Sequence, residues 1–97
     1  MNRKPSKEFA ANMRMFRHEQ IMQALVEEEA LLADGFEQAL LGHTQGPNIV
    51  AVYEYDLCVH ILMDRDGMTC EEAIEYMDFN VTGSYVGKKT PIFISLM

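Results

Sequence analysis

Ninety-seven residues, 48% of them apolar, make one domain that can bury a core without disulfides or metals. Fifteen Asp and Glu against eight Lys and Arg give a net charge of −7, which disfavours binding of the body to nucleic-acid phosphates. Two cysteines are too few for a disulfide framework, and no stretch is apolar enough to cross a bilayer.

The charge is unevenly spread. Residues 1–17 carry +4, residues 18–53 carry −6, residues 54–79 carry −7 and the remainder +2. A basic N-terminal arm thus precedes an acidic body, which suits a basic protein surface or simple solubility. The arm has no apolar core, so it is not a secretory signal, and the chain is expected in the cytoplasm with its thiols reduced.

In chain order, Ser6 is placed to cap a helix on which Phe9, Met13 and Phe16 follow at spacings of four and three. Ile21, Leu25 and Leu32 continue a similar spacing. The segment 6–33 reads as one helix, or two with a break near His18, ended by Asp34-Gly35. Residues 39–53 read as a β-hairpin. Ala39 to His43 and the β-branched run Ile49 to Tyr53 flank a turn of about four residues at Gln45-Gly46-Pro47-Asn48. The first strand competes with a helical extension over Gln38 to Leu41.

Asp56 is placed to cap the next helix, whose stripe is Leu57, Cys58, Ile61 and Leu62, and Asp66-Gly67 stops it. Thr69 and Glu72 then stand three apart, as a capping box requires. Ala73, Ile74, Met77 and Val81 form the buried face of this helix, ended by Gly83 or Gly87. Pro91 opens a short last strand through Leu96. The architecture is α+β: N-terminal helix, β-hairpin, helical hairpin and final strand, with a small three-stranded sheet covered by helices on one face.

No constellation commits the chain to catalysis or to a metal. If Asp66-Gly67 filled positions five and six of a calcium loop, positions one and twelve would fall on Leu62 and Ala73, which cannot bind the ion. Cys58 and His60 would lie about 200° apart on a helix, so they cannot share zinc; Cys58 belongs to the core and His60 to the surface. The helical hairpin lacks the donors of a DNA-reading second helix, which offers Glu71, Glu72, Glu75 and Asp78 instead. Acid pairs such as Glu71 and Glu75 are exposed helical neighbours rather than a cleft dyad. No cofactor is expected.

The candidates that remain are contact residues. Tyr53, Tyr55, Tyr76 and Tyr85, with Phe79, are numerous for the length and serve either as core and rim packing or as an interaction surface. Eight Met fit adaptable cores and binding surfaces alike. Phe9, Met13 and Phe16 are the third candidate group, an apolar stripe among basic residues.

Residues 50–56 (VAVYEYD), 61–87 (ILMDRDGMTCEEAIEYMDFNVTGSYVG) and 90–93 (TPIF), preceded by GFEQALLG at 35–42, resemble small uncharacterised proteins encoded by bacteriophages and prophages. The resemblance covers roughly 35–94 and omits the arm. It carries over no catalytic residue. It implies an infected-cell cytoplasm, where small acidic proteins bind and inhibit host proteins, an analogy of setting alone.

The leading expectation is therefore a non-enzymatic protein acting through a protein partner, a modulator of a host enzyme or defence complex. The rivals are a homo-oligomeric assembly accessory associating through residues 1–33, and a small-molecule-binding domain using the Tyr-rich C-terminal half.

Overall fold

The computed structural model describes residues 18–96. Residues 18–27 are helical (α1). Leu25 is buried, and Ile21, one turn earlier, packs against the same core. The helix closes in a Schellman motif: Ala30 N–H donates to the Leu25 carbonyl at 2.9 Å and Glu29 N–H to that of Val26 at 3.1 Å. Glu29 occupies the left-handed position of the motif at φ 54°. The expected stop at Asp34-Gly35 is thus corrected. Glu27, Glu28 and Glu29 meet the negative end of the helix dipole, which disfavours another turn. The part of the expected helix over 6–17 lies outside the described residues.

The chain then crosses to a 3-10 turn, Glu37–Ala39, that leads into β1 (Leu40–His43). β1 pairs antiparallel with β2 (Ala51–Glu54) through Leu40↔Tyr53, Gly42↔Val52 and His43↔Ala51, with an irregularity between Leu40 and Gly42. The hairpin is present, but its connection spans 44–50 rather than four residues. Thr44 closes it: its N–H donates to the Val50 carbonyl, and its Oγ1 accepts from Val50 N–H, both at 2.9 Å.

β3 (Ile92–Ile94) lies on the other side of β2 and runs parallel to it, in register Val52↔Ile92, Tyr53↔Phe93 and Glu54↔Ile94. A parallel neighbour needs a crossover, supplied here by α2 (Tyr55–Asp66) and α3 (Cys70–Tyr76). Period-two alternation then separates the faces. Ala51, Tyr53 and Phe93 turn toward the helices; Val52, Ile92 and Ile94 turn away. Tyr53 and Phe93 stack with ring centroids 5.4 Å apart.

α2 buries Cys58, Val59 and Leu62, while Leu57 and Ile61 are half-buried along its flank. His60 faces out, as expected. Asp56 is not the cap. Glu54 holds that position with no side-chain bond, and the Asp56 carboxylate instead accepts from Ser95 Oγ at 2.9 Å and Leu96 N–H at 3.1 Å. Gly67, left-handed at φ 69°, ends α2 as expected. The capping box is present: Glu72 N–H donates to Thr69 Oγ1 at 3.1 Å and Thr69 N–H to Glu72 Oε1 at 2.9 Å. Ala73 and Met77 are buried, but Ile74 is exposed. α3 widens into a π turn over Met77–Val81, closed by Thr82 N–H on the Met77 carbonyl at 2.7 Å. Leu25, Tyr53, Cys58, Leu62 and Met77 are the largest fully buried side chains, in one continuous core. Truncating Leu62 to Ala would cost about 2–5 kcal/mol.

Candidate protein-interaction surface

Three segments far apart in sequence meet at one cleft of mixed polar and apolar lining. They are the stretch after α1, the end of α3 with its π turn, and the loop leading into β3. The cleft has a volume of about 330 Å³. Phe36, Ala33, Val81 and Phe93 line its deeper part, and Leu31, Leu32, Tyr76 and Val86 stand exposed around it.

Hydrogen bonds hold the first and third walls. Ala33 N–H donates to Tyr53 Oη at 2.9 Å, fixing the first wall to the central strand. Leu31 N–H donates to the Lys89 carbonyl at 3.2 Å, joining the first wall to the third. In the third wall, Val86 N–H donates to Thr90 Oγ1 at 3.0 Å, and Thr90 Oγ1 donates to the Gly87 carbonyl at 2.7 Å. Gly87 at φ 115° makes this tight turn possible. The turn leaves Val86 61% exposed. Lys89 Nζ reaches the Ile49 carbonyl at 3.4 Å and the Glu28 carboxylate at 3.6 Å, so the loop is tied to both the hairpin and the end of α1.

The apolar surface continues past the cleft. Tyr76 and Asn80 also line a shallow groove with Met68, Glu72, Glu75 and Phe79, and Phe79 is 77% exposed. On the other side of the 86–90 turn, Tyr85 is 78% exposed and shares a groove with Ile92, Lys88 and Thr44. The charges around this surface are mixed: Asp34 lines the cleft, Glu72 and Glu75 stand beside Tyr76, and Lys88 borders the Tyr85 groove.

The sequence candidates divide accordingly. Tyr76 and Tyr85 lie on this surface. Tyr53 does not: it is 1% exposed, with its hydroxyl bound to Ala33 and its ring on Phe93, so it serves as packing. Tyr55 is half-buried and donates to Asp78 Oδ1 at 3.1 Å, joining the start of α2 to the π turn. Burial foremost, and then that bond, push the Tyr55 hydroxyl above its ordinary pKa. Phe9, Met13 and Phe16 lie outside the described residues. Leu31, Leu32 and Val86 were missed as site residues. The adjacent Leu31-Leu32 pair was the available signal, because neighbouring helix positions cannot share one face.

Two further titratable groups are held away from their ordinary range. Bonds from its own and the Gly35 backbone N–H groups hold the Glu37 carboxyl below its usual range. Burial pushes the Cys58 thiol up to about 11, which keeps it protonated. Among the described residues, no group of three or more His, Cys, Asp or Glu is placed to hold a metal ion, and no helix is long and apolar enough to cross a membrane. Comparison with protein-family models, curated proteins and solved structures found no match.

Proposed function

We propose that this protein is non-enzymatic and works by docking a polypeptide against the cleft between Leu31, Tyr76 and Val86. The observation that carries this reading is the exposure of large apolar side chains around a cleft whose walls are already hydrogen-bonded in place. A contiguous apolar patch rimmed by polar groups marks an interaction surface. Tyr76 and Phe79 supply the aromatic area that such surfaces concentrate in their centres. In the phage setting implied by the resemblance, the docked polypeptide belongs to a host enzyme or defence complex.

The test is capture from host lysate on the immobilised full chain, compared with Val86→Asp and Leu32→Asp. Both positions are exposed, so the fold survives and circular dichroism verifies it. The expected result is a specific protein retained by the wild type and depleted at least about tenfold by each variant, the scale of a central contact. Equal retention by all three would refute the cleft as the docking site.

A further inference from the structure

α3 and its π turn turn a long face to solvent. Ala73 and Met77 are their buried residues. Glu72, Glu75, Tyr76, Phe79 and Asn80 are all exposed, at the spacings of three and four that mark one side of a helix. These five share the shallow groove with the half-buried Met68. Tyr76 and Asn80 line the cleft as well, so groove and cleft are continuous.

The groove sets carboxylates beside aromatic rings. Glu72 precedes Tyr76 by four residues, and Glu75 precedes Phe79 by four, so each acid neighbours a ring. Tyr76 is 39% exposed and Phe79 77%. Among the described residues no cation answers these two acids. Arg65 is bound to Asp66, Lys89 faces Glu28, and Lys88 lies in the Tyr85 groove on the other side of the 86–90 turn. Glu72 accepts Thr69 N–H on Oε1, and a carboxylate has room for further donors. A planar cation satisfies both parts of the groove at once: it lies over a ring and forks onto a carboxylate. Guanidinium does this, whereas an ammonium is a compact point charge without the fork.

We propose that the docked polypeptide places an apolar anchor in the cleft and an arginine in the adjoining groove, against Glu72, Glu75, Tyr76 and Phe79. This rests on reading the cleft as a polypeptide-docking surface, and it names the chemistry of the partner. The arginine also sets the partner's direction. Lys88 borders the opposite end of the surface, so a reversed segment would bring its cation toward a like charge. Added salt weakens the arginine contact and leaves the apolar anchor in place.

The test is selection from a displayed library of short random peptides on the immobilised full chain. The wild type is expected to enrich peptides that combine a large apolar residue with an arginine. The double variant E72Q/E75Q keeps an oxygen for Thr69 N–H and removes both charges. It is expected to retain the apolar preference, to lose the arginine preference, and to bind a wild-type-selected peptide at least about fivefold more weakly. Glu75→Gln alone replaces it if melting curves show the double variant unfolded. The control E19Q/E27Q removes the same charge from α1, away from cleft and groove, and is expected to select as the wild type does. The arginine assignment is overturned by selected peptides without excess arginine, by lysine enriched in its place, by a preference that survives E72Q/E75Q, or by one lost equally in the control. If the apolar peptides are still lost in Val86→Asp and Leu32→Asp, the docking reading stands without the arginine. No enriched peptide, or enrichment indifferent to Val86 and Leu32, overturns both.

Discussion

Arg65 Nη1 donates to the Gly35 carbonyl at 2.9 Å, which ties α2 to a stretch of chain thirty residues earlier. The guanidinium also lies 5.7 Å from the centroid of the Phe36 ring, and Nε and Nη2 bind both oxygens of Asp66 at 2.9 Å. Arg65→Ala is expected to lower stability by about 1 kcal/mol, from one hydrogen bond and one exposed cation–π contact. Arg65→Lys should recover only part, because an ammonium lacks the planar fork. Asp66→Asn should change little, since the pair is solvent-exposed. Urea denaturation of the three variants checks the order.

Glu29 holds a left-handed backbone conformation that a side chain disfavours by about 1–2 kcal/mol. Glu29→Gly should therefore stabilise the protein by about 1 kcal/mol. Glu29→Ala, which removes the charge but keeps the strain, should gain clearly less. Thermal melts of both separate backbone relief from the dipole effect.

Thr69→Ala removes the acceptor for Glu72 N–H and should cost about 1 kcal/mol without altering the fold. A melting temperature equal to that of the wild type would remove the capping box from the account of stability.

Backbone bonding holds the Glu72 and Glu37 carboxyls below their usual range, and the Arg65 side chain does the same for Asp66. Each is depressed in the folded state. Their stabilisation is complete above the unfolded carboxylate values, about 4. It is lost as pH falls through the lower folded values. Stability should thus decline in acid, and Glu72→Gln should make that decline shallower. Denaturation midpoints measured across the acid range test the sign.

Cys58 is buried and Cys70 exposed. In native protein one thiol should react rapidly with an aromatic disulfide reagent and the other only on unfolding. Cys70→Ser should abolish the fast phase. Two fast thiols would contradict the burial of α2.

Local signals were the legible ones. The Thr69–Glu72 box and the left-handed Gly67 depend on residues within one turn of each other, and the sequence locates both. The β-branched run before Glu54 and the Pro91 start likewise mark a small sheet in an α+β fold. The end of α1 escaped because its motif uses a glutamate where glycine is the usual sign. Asp56 had the right chemistry for a cap, but Ser95 and Leu96 take its carboxylate from far along the chain. The burial of Tyr53 depends on Phe93 in a parallel neighbour, a pairing that alternation within one strand does not reveal. The cleft was illegible for the same reason: Leu31, Tyr76 and Val86 have no sequence relation and meet only once β3 is in place.

The parallel seating of β3 also imposes an order on assembly. During synthesis the hairpin and both crossover helices emerge before Phe93 exists to cover the Tyr53 ring. A nascent chain ending anywhere before residue 92 lacks one border of its sheet and a wall of its cleft. It presents an open strand edge of the kind that recruits chaperones or mispairs with neighbouring chains. Pairing across so long a separation is slow compared with helix formation. The rate of maturation should therefore be governed by closure of the last strand rather than by the helices that precede it.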